Sequence, residues 1–277
     1  MAGRVAIIAG SGRLPAILAA ALVDAGSPPV IAALQGSRPE DIPDGDVERF
    51  RVERLAVFLD RLHALGVGRV IFAGAVQRPQ LDPEAFDPRT ASMVPRLIAA
   101  MQGGDDATLR EVVAIFEEDG LRVIGAAEAV PDLVPEAGVL GAVTPTEADA
   151  EDAVRAARIV SALGAVDVGQ GAVVAQGLCL ALEALPGTDV MLAQLAQLAQ
   201  RPPMRPDPSG ARGLLYKAPK PGQDRRMDLP AIGPQTVTAA AQAGLAGIAF
   251  EAGGVMIIDR AETVRRADAQ GLFLWAR

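Results

Sequence analysis

The stretch Arg4–Pro15, RVAIIAGSGRLP, decides how the first half of this chain is expected to fold. Its run Arg4–Ala9, RVAIIA, is typical of a buried strand, and an apolar helix is predicted from Pro15 to Ala25. A strand that leads through glycines into a helix N-terminus can bind an anion with its backbone N–H groups and the helix dipole. The same residues also fit a plain tight turn, and the sequence does not decide between the two.

The dinucleotide fingerprint GxGxxG is only partly present in this stretch. Pro15 stands where the third glycine should be. The next predicted strand, Val30–Leu34, is followed by Gln35 and not by the acidic residue that binds a ribose. We therefore predict a Rossmann-like topology with a nucleotide or phosphate turn, and no NAD site. A further buried strand, Gly68–Ala73, is expected in the same sheet, where ligands gather at the carboxyl ends of the strands.

Composition limits both the architecture and the class of function. The chain has 277 residues, half of them hydrophobic but only 3% aromatic, which favours two α/β domains with aliphatic cores. The net charge of −8 argues against general nucleic-acid binding. The one cysteine, Cys179, excludes an intramolecular disulfide and fits a reducing cytoplasm, while the one histidine, His63, excludes His-rich metal sites. Any metal site is thus expected to use oxygen ligands.

The stretch Leu214–Pro234, LLYKAPKPGQDRRMDLPAIGP, combines charge, proline and glycine without helix or strand periodicity. Its prolines forbid a regular helix, and its lysines and aspartates suit the binding of phosphate and of a hard cation such as Mg²⁺. We interpret it as an ordered functional loop, although a solvated charged loop has the same composition. The domain boundary is placed at the proline- and glycine-rich residues 131–145, between domains at 1–130 and 146–277.

Several other polar residues allow two interpretations. Asp105 and Asp106 follow two glycines and suit either a helix N-cap or the side of a ligand site. Glu183 lies in an apolar run taken as the strand Leu178–Leu185, where a carboxylate is costly to bury unless it is paired or functional. Thr188 or Asp189 is expected to cap the following helix.

Six phrases in this order and spacing carry a resemblance to a known family: IAGSGRLP, FAGAVQRP, GDDATLR, DVGQGAVV, EALPGTD and YKAPKPGQDRRMDLPAIG. Together they resemble the LpxI-type UDP-2,3-diacylglucosamine pyrophosphatases of lipid A biosynthesis, over nearly the whole chain. The resemblance implies a Rossmann-like N-terminal domain, a second α/β domain at the C-terminus and a substrate cleft between them. It also implies Mg²⁺-dependent hydrolysis, with Mn²⁺ as an alternative metal, that yields UMP and 2,3-diacylglucosamine 1-phosphate (lipid X).

The resemblance also assigns residues. The essential aspartate of the family's DLP motif falls at Asp228, which is predicted to ligate the metal or to orient the attacking water, and Asp224 is the weaker candidate. Two departures are Ser11 in place of a glycine and Ala75 in place of an asparagine. The residues implied to contact substrate are Gly10, Ser11, Gly12, Arg13, Val76, Gln77, Arg78, Asp105 and Asp106 in the first domain, and Gln170, Thr188, Asp189 and Lys217 in the second.

A diacylated substrate implies action at the cytoplasmic face of the inner membrane. The acidic net charge suggests that such attachment is transient and peripheral. No nucleic-acid partner is expected, and the sequence leaves a homodimer open. Two alternative functions also stay open: a non-catalytic nucleotide-sugar binding protein and an NAD-dependent oxidoreductase.

Overall fold

The computed structural model describes residues 3–76, 80–103, 105–198, 206–227 and 229–277, without the side chains of Asp105 and Asp106. The chain divides into two compact units. The first comprises Met1–Pro131 together with the short segment Asp224–Asp228, and the second comprises Asp132–Gln223 together with Leu229–Arg277. The segment at 224–228 thus lies late in the sequence but belongs to the first unit.

The first unit is built on a five-stranded sheet in which every paired strand is parallel. The predicted strands β1 and β2 are confirmed, and β1 lies at the centre in the order β3-β2-β1-β4-β5. The elements of this unit are β1 Arg4–Ala9, α1 Leu14–Asp24, β2 Val30–Leu34, β3 Val47–Phe50, α2 Leu55–Ala64, β4 Val67–Ala73, α3 Pro88–Gln102, α4 Asp105–Glu118, β5 Arg122–Val123 and α5 Ala126–Ala129.

The core of this unit follows from the alternation of side chains along β1. Ala6 and Ile8 belong to a buried cluster with Leu59 of α2 and Phe116 of α4, so these helices cover one face of the sheet. The intervening side chains point to the opposite face and are also buried. Both faces of a parallel sheet are covered here, which is why its strands are continuous apolar runs.

The turns that follow β1 and β4 touch each other. Ser11 donates its backbone N–H to the carbonyl oxygen of Ala75 at 2.7 Å and accepts the N–H of Ala75 at 3.1 Å. This approach requires glycine on both sides. A Cβ atom at Gly10 would lie 2.4 Å from the carbonyl oxygen of Ala75, and one at Gly74, whose φ is +88°, would lie 2.5 Å from that of Ser11.

The second unit contains a six-stranded mixed sheet in the order β6-β13-β11-β9-β7-β8 and a two-stranded sheet, β10-β12. Strands β9, β11 and β13 are parallel, whereas β6, β7 and β8 pair antiparallel to their neighbours. The elements are β6 Gly138–Leu140, α6 Glu147–Ala165, β7 Gly171–Ala175, β8 Leu178–Leu182, α7 Gly187–Leu198, β9 Leu214–Lys217, β10 Ala231–Ile232, α8 Pro234–Gln242, β11 Gly247–Phe250, β12 Met256–Ile257, α9 Arg260–Ala269 and β13 Phe273–Ala276.

Helices cover both faces of the six-stranded sheet. Helices α7, α8 and α9 share one core cluster with Leu215 and Ile248, and α6 packs on the other face against Leu214 and Tyr216. Helix α6 begins at Glu147, where Thr146 and the third helical residue, Asp149, form a reciprocal capping box.

Three expectations for the second half were wrong in detail. Leu214–Lys217, predicted as part of a loop, is a buried strand between β7 and β11. Residues 138–140, inside the predicted linker, form the edge strand β6. Strand β8 ends at Leu182, so Glu183 follows the strand instead of lying within it. In the first two cases pairing with a distant strand, which is not visible in the local sequence, sets the boundary.

We expect Gly10→Ala to lower the free energy of unfolding by about 1–3 kcal/mol, because its methyl group collides with backbone that belongs to another strand. Gly45→Ala is the matched control, since nothing lies within 4 Å of a Cβ atom there, and its effect is expected to stay within about 0.5 kcal/mol. Urea denaturation of both variants checks this. Equal unfolding midpoints would show that the two turns are not as close as described.

Candidate functional site

Several predicted site residues of the first unit lie where β1 and β4 end. The strand order reverses between these two strands, and such a switch point is where open parallel sheets bind their ligands. Ser11 is exposed there, and Gly12 has a φ of +92°. Arg13 forms an ion pair with Asp41, with Nε and Oδ2 3.1 Å apart. The turn therefore presents a hydroxyl group and a partly exposed guanidinium at the switch point.

The other predicted site residues of this unit follow β4 or begin α4. Val76 follows the Ala75 bridge directly, and about half of its side chain is exposed. Gln77 and Arg78 lie outside the described residues. Helix α4 begins at Asp105, so both aspartates of the predicted pair lie in its first turn, although their side chains are also outside the description.

In the second unit, three predicted residues come together at one end of the six-stranded sheet. Lys217, the last residue of β9, pairs in register with Gly171 of β7. Gln170 precedes that glycine, and its backbone carbonyl oxygen accepts a hydrogen bond from the backbone N–H of Ala218. Thr188 lies in the first turn of α7, and its hydroxyl donates to the side chain of Glu183. The backbone N–H of Glu183 donates to the carbonyl oxygen of Gly171, so Thr188 lies at the same end of the sheet.

Lys217 is the main charge of this cluster. Its side chain is only 7% exposed, and its Nζ donates to the carbonyl oxygen of Ala231 at 3.1 Å. An ammonium group is costly to remove from water, so a lysine held at the end of a central strand indicates a site made for negative charge. This geometry agrees with the phosphate chemistry predicted from the sequence.

Glu183 was not among the predicted site residues, yet it lies in the same cluster. It is buried, and its Oε2 accepts a hydrogen bond from the hydroxyl of Thr188 at 2.5 Å. Little space is left beside it, because a Cβ atom at Gly171 would lie 2.6 Å from Oε2. The feature of the sequence that could have identified Glu183 is its position as a single carboxylate within an apolar run.

Two further observations define what this cluster offers a ligand. The side-chain carbonyl oxygen of Gln170 is buried and has no hydrogen-bond partner within the described part of the chain. Asp189 is exposed in the first turn of α7. The cluster thus combines a buried ammonium, a hydroxyl and an amide oxygen without a hydrogen-bond partner among the described residues.

The start of α7 differs from the prediction. Because the helix starts at Gly187, Thr188 and Asp189 lie inside it, so the expectation that one of them is the N-cap was wrong.

Asp228, the predicted catalytic residue, lies outside the described residues, but its neighbours are well anchored. Met227 packs against the core of the first unit, and Leu229 is buried in the second. Just before it, Arg226 donates to Glu117 through Nη1 at 2.7 Å. Its backbone N–H and its Nε and Nη2 atoms donate to Asp224 at 2.7 to 3.2 Å.

The hydrogen bonds from Arg226 lower the pKa of Asp224 below its ordinary value. The same bonds, in turn, raise the pKa of the Arg226 guanidinium. The segment also passes close to β5, because a Cβ atom at Gly125 would lie 3.3 Å from the Cα atom of Arg226. Arg226 therefore anchors this segment on the first unit through Glu117, and Asp224 holds the guanidinium in place.

The structure also bears on how a metal ion would be held. Among the residues that the structure describes, no three His, Cys, Asp or Glu side chains are grouped closely enough to enclose a metal. Magnesium is commonly held by only one or two carboxylates together with substrate phosphates. The described residues are therefore compatible with a magnesium site that uses few side chains.

Comparisons with known proteins show similarity to one family over nearly the whole chain. A family model described as the LpxI N-terminal domain matches residues 4–133, and one described as the LpxI C-terminal domain matches residues 136–275. The UDP-2,3-diacylglucosamine pyrophosphatase LpxI of Caulobacter vibrioides is 38% identical over 274 residues, which cover 98% of this chain and 96% of that protein.

We expect Asp224→Asn to lower the free energy of unfolding at pH 7 by about 1–2 kcal/mol, because it weakens charge-assisted hydrogen bonds. Since the pKa of Asp224 is lowered by folding, its contribution is full above the unfolded value of about 4 and is lost as the pH falls below it. Urea denaturation at pH 7 and at pH 3 should therefore show a smaller difference between the variant and the parent protein at pH 3.

Asp44→Asn is the matched control for this prediction. Asp44 also pairs with an arginine, at 2.7 Å from Arg49, but its side chain is 90% exposed. Such a pair contributes within about 0.5 kcal/mol. The same loss of stability in both variants would contradict an anchoring role for Asp224.

Proposed function

The chain belongs to the LpxI family, and on this premise we propose that it hydrolyses the pyrophosphate bond of UDP-2,3-diacylglucosamine. The proposed products are UMP and 2,3-diacylglucosamine 1-phosphate. The observation that carries the proposal is the buried ammonium of Lys217, which lies at a sheet end beside Gln170 and Thr188. A buried cation with polar neighbours suits a pyrophosphate, whose charge must be neutralised before water can attack phosphorus.

In the proposed reaction the first unit binds part of the substrate at the ends of β1 and β4. Its parallel strand order supports a Rossmann-like role, in which the nucleotide lies against the turn at Gly10–Arg13. The partly exposed guanidinium of Arg13 and the hydroxyl of Ser11 suit phosphate oxygens there. In the second unit Lys217 neutralises a phosphate oxygen, and Thr188 and Gln170 orient polar groups of the substrate.

Asp228 is proposed as the catalytic residue, which holds the attacking water or serves as a metal ligand. When bound, Mg²⁺ neutralises the pyrophosphate and makes phosphorus more electrophilic. Asp224 is unsuited to either role, because its oxygens already accept three hydrogen bonds from Arg226. We place the enzyme transiently at the cytoplasmic face of the inner membrane, where its diacylated substrate lies.

The reaction can be tested by incubating purified protein with UDP-2,3-diacylglucosamine in ¹⁸O-water, with Mg²⁺ or with a chelator. Attack on the phosphorus next to the sugar puts the label in the lipid phosphate, leaves UMP unlabelled and requires the metal. Mass spectrometry of both products reads the outcome. Label in UMP would reject this site of attack, and undiminished turnover in chelator would reject the metal.

Variants of the two loop aspartates separate catalysis from anchoring. Asp228→Asn should lower turnover by a factor of about 10² or more while substrate binding and stability persist. Asp224→Asn is the matched control in the same loop and should retain turnover when assayed well below its unfolding temperature. Equal activity of Asp228→Asn and the parent protein would reject the catalytic role of Asp228, and no turnover by the parent protein would favour the alternative of a non-catalytic nucleotide-sugar binding protein.

A further inference from the structure

Exposed apolar side chains are concentrated at the same end of the second unit as the Lys217 cluster. Leu185, in the turn between β8 and α7, is 96% exposed. Leu182 precedes it and Val190 follows it in the first turn of α7, and both are more than two-fifths exposed. From Leu178 to Thr188 the only charged residue is Glu183, which is buried. Eleven consecutive residues therefore present no charge to solvent.

A second loop extends this surface. Val166 is 69% exposed and Val168 is 45% exposed, in the turn that leads from α6 to β7. This turn lies against the first, because a Cβ atom at Gly169 would be only 2.1 Å from the carbonyl oxygen of Glu183. We call the five side chains of the two turns the apolar tip: Val166, Val168, Leu182, Leu185 and Val190.

We propose that the apolar tip inserts into the interfacial region of a lipid bilayer and holds the second unit against it. This inference rests on the proposed function, since a diacylated substrate requires its enzyme to work at a lipid surface. It goes further by assigning the contact to particular side chains. It also explains a leucine that is almost wholly exposed to water, which is unfavourable unless that surface is covered in use.

The shape and position of the tip favour lipid over a protein partner. Leu185 is at a turn and not on a flat face, and a lone leucine that projects from a turn is suited to the fluid boundary between headgroups and acyl chains. The two turns that carry the tip also carry Gln170 and Thr188 of the candidate site. A bilayer at the tip thus meets the unit at the end where the polar part of a lipid substrate would be bound.

Charge explains why an apolar contact is needed. A protein with a net charge of −8 is repelled by anionic lipid, so basic side chains do not provide general attraction to the membrane. Lys220 is engaged in an ion pair at 2.6 Å with Asp167, which lies between Val166 and Val168. Attachment through the tip should consequently depend little on salt or on the fraction of anionic lipid.

Vesicle sedimentation without substrate tests the proposal. The parent protein should sediment with phosphatidylcholine vesicles at millimolar lipid, and 0.5 M salt should not release it. Leu185→Glu should lower the partition coefficient between vesicles and water about tenfold or more, because a leucine that enters the bilayer is replaced by a charge. Val57→Glu is the control, since Val57 is half exposed on α2 of the first unit, and it should leave sedimentation unchanged.

Three results would overturn the proposal: no sedimentation of the parent protein, equal sedimentation of Leu185→Glu, or an equal loss in Val57→Glu. A fourth is a parent dimer, seen by light scattering, that Leu185→Glu converts to a monomer, because the tip would then bind a second copy. Turnover in detergent micelles is measured separately. Unchanged turnover of Leu185→Glu in micelles, together with impaired sedimentation, supports a membrane contact through the apolar tip. Absence of turnover by the parent protein in micelles rejects the proposed enzymatic function and leaves the membrane contact to the sedimentation result.

Discussion

The buried ammonium of Lys217 is the constraint that shapes the second unit around its candidate site. The residues Leu214–Lys217 are all buried, and β9 lies between β7 and β11, so this lysine cannot turn its charge to bulk water. Polar atoms must come to it. The carbonyl oxygen of Ala231 does so directly. On the paired strand, glycine at 171 leaves room for the Glu183 carboxylate, and Thr188 donates to that carboxylate. The glycine, the carboxylate and the hydroxyl thus lie at the end of the sheet where Lys217 ends its strand.

The sequence predicted what local patterns determine and missed what distant pairing determines. Arg4–Ala9 and Val30–Leu34 were bounded correctly because continuous apolar runs between turn residues specify buried strands. Leu214–Lys217 was taken for a loop because it is short, ends in a lysine and runs into prolines. Its strand character comes from pairing with β7 and β11, which are distant in sequence. The same limitation hid the site role of Glu183, since its glycine and threonine contacts are made only in the fold.

The segment at 224–227 shows how structure distinguishes two similar aspartates. By sequence, Asp224 and Asp228 are both carboxylates in a basic, proline-rich stretch, and family resemblance separated them. The structure adds a physical reason, because Asp224 is committed to Arg226, which also reaches Glu117, 109 residues earlier in the chain. A carboxylate surrounded by guanidinium donors has little capacity left for a metal or a water molecule. It holds the Arg226 guanidinium, which in turn ties the residues before Asp228 to Glu117 of the first unit.

The polar cluster and the apolar tip have a common origin in the turns at 166–170 and 182–188. Close packing of the two turns, made possible by Gly169, puts Glu183 inside and leaves Leu185 outside. Glu183 tolerates burial because Thr188 donates to it, and Leu185 has no core to enter because β8 is the edge strand of its sheet. A buried carboxylate beside an exposed leucine is the reverse of the usual pattern. Such an inversion is what a site for a lipid with a charged headgroup requires, since the headgroup must meet buried charge while the surrounding surface stays compatible with acyl chains.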